Sequence, residues 1–193
     1  MIRMVREYSS VDAYRADQAR KTADPATRAR FDARREHRIR SFRVRWTVLT
    51  EHAPPGSRIL CLGARYGEEV EAFRQLGFDA TGVDLVPCPP LVIEADFHNL
   101  PFADGSFDAV FTNSLDHALV LSCVLAEIRR VLRRPGWLLM RLFFRDEDFG
   151  DYETCRFDED DALALLPDFA VAWRLEKLGR VRLLLHHGPE EAA

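Results

Sequence analysis

The stretch LCLGARYGEEVEAF, residues 60–73, constrains this chain more than any other. An apolar run of strand length passes through a turn bounded by Gly63 and Gly67 and emerges at helical spacing. A buried strand that feeds a helix through a tight turn is the repeating unit of a parallel α/β sheet. The switch recurs downstream. RILCLG, FDATGVDL, LVIEADF, FDAVFTNS and WLLMRLFF read as strands, and GEEVEAFRQLG and Leu119 to Leu132 read as helices. VPCPP and NLPFADGS read as rigid and turn-rich loops. Right-handed crossovers place the helices of such a sheet on both faces, and ligands bind at the carboxyl ends of its strands.

The ends of the chain break the alternation. Ser9 or Ser10 caps a predicted helix over SVDAYRADQARKT. Asp24 and Pro25 then give a cap and a first-turn proline, which start a helix running to about Glu51. Phe31, Ile39, Phe42, Trp46 and Leu49 form its apolar stripe, and APPGS stops it. At the other end, DEDDALALLP reads as a short helix with acids in its first turn, where the helix dipole favours them. FAVAWRLEKLGRVRLLLHH reads as a hairpin around Lys177, Leu178 and Gly179, so the sheet should finish with an antiparallel strand. The predicted fold is therefore α/β: a doubly wound, Rossmann-like sheet of about seven strands, mostly parallel, with N-terminal helices.

Charge divides the chain. Residues 1–57 hold thirteen Lys or Arg against seven Asp or Glu, a surplus of six; the rest holds fourteen against twenty-four. A basic arm on an acidic body docks on that body or meets an anionic partner, and the alternation of its arginines with core-like apolar residues favours docking. The four cysteines, 61, 88, 123 and 155, form no paired motif, as expected of reduced thiols in a cytoplasmic protein. No apolar run reaches membrane-span length, and the N-terminus is too polar for a secretory signal.

A cofactor constellation lies at the strand ends. A side chain at Gly63 or Gly67 would obstruct the approach of a ligand to the backbone. Asp84 follows Gly63 by 21 residues, where a carboxylate accepts hydrogen bonds from both ribose hydroxyls. Asp96 ends the third strand, near the place of an adenine amino group. A glycine loop with a downstream Asp suits several adenosine ligands. The spacing GxxxG and the hairpin tail point away from an ordinary dinucleotide domain.

In order, RILCLGARYG, TGVDL, EADFHNLPFADGSFDAVFTNSLDH and EIRRVLRRPGWLLM resemble the successive motifs of class I S-adenosylmethionine-dependent methyltransferases. The similarity covers roughly residues 57–144, and LCLGAR and FTNSLDH resemble a smaller bacterial and plant branch of that family. The resemblance implies a methyltransferase domain over 57–193, with residues 1–56 as a helical extension and lid, and S-adenosyl-L-methionine as cofactor. Gly63, Ala64, Arg65 and Gly67 would lie along its methionine part. Asp84 would hold the ribose, Leu85 would pack on the adenine, and Asp96 with Phe97 would meet the adenine amino group. Asn113 would stand near the sulfonium. Two positions depart from the wider family: Cys61 stands where an acid helps to hold the cofactor amine, and Arg65 replaces a glycine. The Arg65 guanidinium has the geometry to fork onto the methionine carboxylate; otherwise it points to solvent or pairs with Glu68 or Glu69.

Methyl transfer from a sulfonium needs no acid for its leaving group, so catalysis is positioning plus a base for a protonated acceptor. His117, with an unperturbed pKa of about 6.5, is the candidate base, and Asp116 would orient it or bind substrate; alternatively the two cap the next helix and fix the loop. Asp116, Asn113 and the run Asp146, Glu147, Asp148 are metal-ligand types without a dedicated motif, and no metal is expected. Tyr14 and Gln18, with Tyr8 and Lys21, are expected to fold over the cofactor from one side, and Phe149 and Tyr152 from the other. Trp46, Trp137 and Trp173 read as core, His98 as structural, and His186 and His187 as surface residues. The expected acceptor is a small molecule. The alternatives are an inactive cofactor-binding protein acting through a partner, an enzyme using the fold for another reaction, and an RNA methyltransferase. The last is disfavoured because the arm lacks stacking aromatics among its basic residues. Oligomeric state stays open, a homodimer included.

Overall fold

The computed structural model describes residues 2–143 and 153–188. Its centre is a seven-stranded sheet. The strands are β2 (Arg58–Leu62), β3 (Asp79–Asp84), β4 (Val92–Glu94), β5 (Phe107–Thr112), β6 (Leu132–Phe143), β8 (Phe169–Lys177) and β9 (Arg180–His187), in the order β4-β3-β2-β5-β6-β9-β8. The first five are mutually parallel, and β9 runs antiparallel to both β6 and β8. The sequence reading of a mostly parallel sheet closed by an antiparallel hairpin strand holds. A two-residue strand, β1 (Arg3–Met4), pairs separately with β7 (Cys155–Arg156).

Side chains alternate across the sheet with a period of two, so each strand feeds two cores. Leu60 and Leu62 of β2 join Val110, Leu138, Met140, Leu183 and Leu185 on one face. Helix α5 (Leu121–Val131) covers that face with Leu125, Ile128 and Val131, and α6 (Glu159–Ala164) adds Ala162. Ile59 and Cys61 point the other way, to Ala109, Phe111, Leu139 and Leu184. There α3 (Arg35–Trp46) and α4 (Glu68–Gln75) close the core through Phe42, Trp46, Val70 and Phe73, and Trp46 and Phe73 both meet Phe111 edge-on.

The N-terminal arm differs from the single helix expected over 25–51. After α1 (Val11–Ala23) come α2 (Pro25–Asp32), α3 and a 3-10 turn over Thr47–Glu51. The break falls at Ala33 and Arg34, and its cause is packing. Phe31 of α2 is held by Tyr66, at 5.2 Å, and by the guanidinium of Arg38 at 4.1 Å. Ile39, Phe42 and Trp46 turn into the sheet core. One straight stripe cannot face both neighbours. The basic arm docks on the acidic body: Arg38 pairs with Glu68, Arg15 with Asp96, Arg43 with Gln75, and Arg35 reaches the Tyr66 carbonyl.

The histidines at the end of β9 correct the sequence reading. His187 is fully buried, stacked on Phe169 and hydrogen-bonded to Asp168 at 2.9 Å. His186 lies against Trp137. Trp46 is fully buried as expected, whereas Trp137 and Trp173 are half-buried at the edge of the core. No helix among the described residues is long and apolar enough to cross a membrane.

Candidate functional site

Two adjoining cavities open at the carboxyl ends of β2, β3 and β5. They share Gly63, Arg65, Ser114 and His117. The first, about 460 Å³, runs between Asp84, Leu85, Asp96 and Phe97 and is roofed by Tyr14, Gln18, Lys21 and Thr22 of α1. The second, about 570 Å³, is lined by Glu68 and Glu69 of α4, by Asn113, Asp116 and Glu153, and by Arg38, Phe31 and Phe143.

The turn after β2 explains its glycines differently from the sequence reading. Gly63 and Gly67 adopt φ of +67° and +80°, a region L side chains rarely occupy. A Cβ at Gly63 would meet Ser114 Oγ at 2.7 Å, and one at Gly67 would meet Leu91 Cβ at 2.8 Å. Internal packing and backbone conformation therefore demand both glycines, whatever lies in the cavity. Gly67 caps α4 and Ala64 is fully buried, and neither lines the cavities. Arg65 also has a positive φ, 45°, which swings its side chain over the opening. Its guanidinium stands 4.8 Å from the Phe31 ring centroid, and burial lowers its pKa although Asp84 and Glu69 attract it. Glu68, one of its two expected carboxylate partners, is taken by Arg38 at 3.0 Å.

Asp84 accepts the Arg65 N–H at 2.9 Å and the Val86 N–H at 3.2 Å, one on each oxygen. Burial nonetheless raises its pKa, so the carboxylate gains from any further donor. Each oxygen keeps a lone pair for one. Asp96 is more fully engaged. His98 Nε2 accepts from the backbone N–H of Leu119 and Val120, so the ring proton lies on Nδ1 and is donated to Asp96 Oδ1 at 2.7 Å. The His98 N–H reaches the same oxygen, and Arg15 Nε reaches Oδ2 at 2.9 Å. Burial would raise the Asp96 pKa, but these donors prevail and hold it well below the usual range. His98 is thus structural, as expected: it locks Asp96 and satisfies the backbone ahead of α5.

At the end of β5, Ser114 Oγ donates to Asn113 Oδ1 at 3.0 Å. Leu115–His117 form a 3-10 turn, and α5 is capped at Val120 without a side chain, so Asp116 and His117 do not cap it. Nor does Asp116 orient His117 by a hydrogen bond. Its Oδ1 lies 3.9 Å from His117 Nε2 and is a buried oxygen without a hydrogen-bond partner. Burial and the charge of Glu153 raise Asp116 to about 7. The neighbour of His117 is Lys21 of α1, whose Nζ lies 3.1 Å from Nε2. Burial and the Arg65 charge lower Lys21 to about 8.

Asp116, His117 and Glu153 offer three ligand-type atoms within 4.8 Å of one another. The lysine ammonium at His117 Nε2 supplies a cation to this cluster. Glu153 was not among the sequence candidates, since no spacing links it to His117; only the β1–β7 pairing and the Thr154 N–H to Asp116 carbonyl bond bring it near. The other expected lid residues, Phe149 and Tyr152, and the run 146–148 lie outside the described residues.

Comparison with known proteins agrees with this architecture. Residues 60–140 match the protein family described as "Methyltransferase domain". Over 103 residues the chain is 32% identical to sterol 24-C-methyltransferase ERG6B of Gibberella zeae, a match covering 49% of this chain and 27% of that longer relative. The Burkholderia thailandensis 1,6-didemethyltoxoflavin-N1-methyltransferase, solved with 1,6-didemethyltoxoflavin and S-adenosylhomocysteine, superposes with a TM-score of 0.71. It is 20% identical, over 97% of this chain and 95% of that one. The [4+2]-cyclase SpnF superposes at 0.61, with 18% identity over 75% and 80% of the two chains, so the fold alone does not name the reaction. Over residues 60–140, and in the order of its sheet, this chain is thus similar to methyltransferase domains.

Proposed function

We propose that this chain transfers the methyl group of S-adenosyl-L-methionine to a small-molecule acceptor. The observation that carries the reading is the convergence of Asp84, Asp96, Arg65 and His117 on two joined cavities at the sheet's carboxyl edge, under a roof made by α1. The residues present fit the cofactor. Asp84 has lone pairs for two ribose hydroxyls, Leu85 and Phe97 supply apolar walls for a base, and Asp96 Oδ2 keeps one acceptor site for an amino group. Arg65 carries a guanidinium with no hydrogen-bonded carboxylate among the described residues, which suits the methionine carboxylate.

The bound cofactor supplies an electrophilic methyl on a sulfonium, whose departure as a neutral thioether needs no proton. The chain's part is to orient the acceptor, exclude water and take a proton where the acceptor carries one. The acceptor belongs in the second cavity, against Asn113, His117 and Phe143. Lys21 and His117 are the proton-handling pair. With Lys21 protonated, it donates to His117 Nε2 and the imidazole proton lies on Nδ1. With Lys21 neutral, the pair can take up a proton at the cavity. A residue near pH 8 makes that exchange under ordinary conditions. This reading replaces an Asp116–His117 dyad with a Lys21–His117 pair. Residues 1–56 then act as more than an appended arm, because they furnish both the roof and a reacting group.

The deciding experiment is mass spectrometry of the purified protein for co-bound S-adenosylmethionine or S-adenosylhomocysteine, followed by methyl-donor turnover against a metabolite extract. Asp84→Ala should abolish binding while leaving the fold intact. Retained binding in that variant would refute the site, and binding without turnover would favour an inactive cofactor-binding protein.

A further inference from the structure

The second cavity holds a carboxyl that the reading above does not use. Glu69, in the first turn of α4, is only 4% exposed, yet it lines the cavity beside Gly63, Arg65 and Asn113. Among the described residues no other side chain forms a hydrogen bond or ion pair with it: Arg38 is taken by its neighbour Glu68, and Arg65 attracts it without a hydrogen bond. Glu69 also sits close enough to the fully buried Cys61 thiol to push its pKa up, after burial itself. A carboxyl buried at the wall of a cavity, bonded only by its own backbone N–H, is poised for a cationic donor brought by a ligand. Across the same cavity Arg65 is a half-buried guanidinium with no hydrogen-bonded carboxylate among the described residues. A carboxyl and a guanidinium, four residues apart in sequence and lining one cavity, match a zwitterion.

Resting on the cofactor reading, we propose that Glu69 holds the α-ammonium of the cofactor's methionine part while Arg65 holds its carboxylate. The acid that Cys61 lacks at the end of β2 is supplied instead from α4, reached over the same turn. The helix N-terminus favours the ionised form there. Burial raises Glu69 to about 8, with Glu68 adding repulsion and Arg38 and Arg65 opposing it. The carboxyl is therefore mostly protonated near neutral pH. Binding an ammonium forms an ion pair and releases the carboxyl proton to the buffer, so charge and protons balance.

Calorimetric titration of wild type and Glu69→Gln with S-adenosylhomocysteine and with 5′-methylthioadenosine, which lacks the amino-acid part, tests this. Each is run near pH 7 in two buffers of different ionisation enthalpy. The expected result is that Glu69→Gln weakens S-adenosylhomocysteine about 10- to 100-fold, as for loss of a charged hydrogen bond, and leaves methylthioadenosine within about twofold. The wild type should release most of one proton on binding S-adenosylhomocysteine, and the variant none. Equal effects on both ligands, or a loss under about threefold on S-adenosylhomocysteine, overturn the assignment. A wild type that binds neither nucleoside refutes the cofactor reading itself, a distinct outcome.

Discussion

Replacing Lys21 with methionine tests whether the roof of the cavity is held at the expense of stability. Lys21 Nζ lies 3.1 Å from His117 Nε2. Burial, then the Arg65 charge, pulls its pKa from 10.5 to about 8, and Glu153, Asp116 and Asp84 only partly oppose this. The unfolded chain holds the lysine proton more tightly, so stability rises with pH between about 8 and 10.5 and the penalty is complete below about 8. At about 1.4 kcal/mol per pH unit, the interval corresponds to about 3 kcal/mol. Methionine keeps the length and the apolar stem and drops the charge. Lys21→Met should therefore be more stable than wild type by up to about 3 kcal/mol near neutral pH, with the gain shrinking toward zero by about pH 10.5. Urea unfolding across that range measures it. The slope is read above about pH 8.5, because Asp116 feels the lysine charge and titrates near 7. A variant less stable than wild type near neutral pH, or a gain that does not change between about pH 8 and 10.5, would refute the reasoning.

The same group predicts the pH profile of turnover. A base works deprotonated, so kcat/KM should rise with pH to a plateau above about 8, and Lys21→Met should lose that limb; a profile flat from about 6 to 9 argues against the Lys21–His117 pair. Arg65→Ala should weaken S-adenosylhomocysteine about 10- to 100-fold in calorimetry and spare methylthioadenosine, and an affinity within about twofold of wild type removes its carboxylate role. His98→Ala leaves Asp96 Oδ1 without its ring donor and the Leu119 and Val120 N–H groups without an acceptor, so denaturant unfolding should show a loss of about 2–3 kcal/mol. A change under about 0.5 kcal/mol would mean that water replaces the ring.

Much of this was legible because it is local. The apolar run ending at Leu62, the glycines and the helical spacing after them reproduce β2, the turn and α4. Asp84 and Asp96 could be placed because a parallel strand delivers its carboxyl end to one edge whatever its neighbours are. The helix from Pro25 failed for the opposite reason. Nothing local marks Ala33 as a break, and the demand comes from Tyr66 on one side and the sheet core on the other. His187 likewise reads as a terminal polar residue until Phe169 stacks on it and Asp168 bonds it.

The sequence alone determined the alternation, the antiparallel ending, the ordered motifs of the family and the carboxylates of the strand ends, since each depends on near neighbours in the chain and on strand and helix periodicity. Tertiary structure alone decided which charges meet. Lys21 reaches His117 across 96 residues, Arg15 reaches Asp96 across 81, and Glu68 is paired by Arg38 while Glu69 is left facing the cavity. Pairing of charges depends on burial and on distances of a few ångströms between distant segments, and periodicity along a chain carries no record of either.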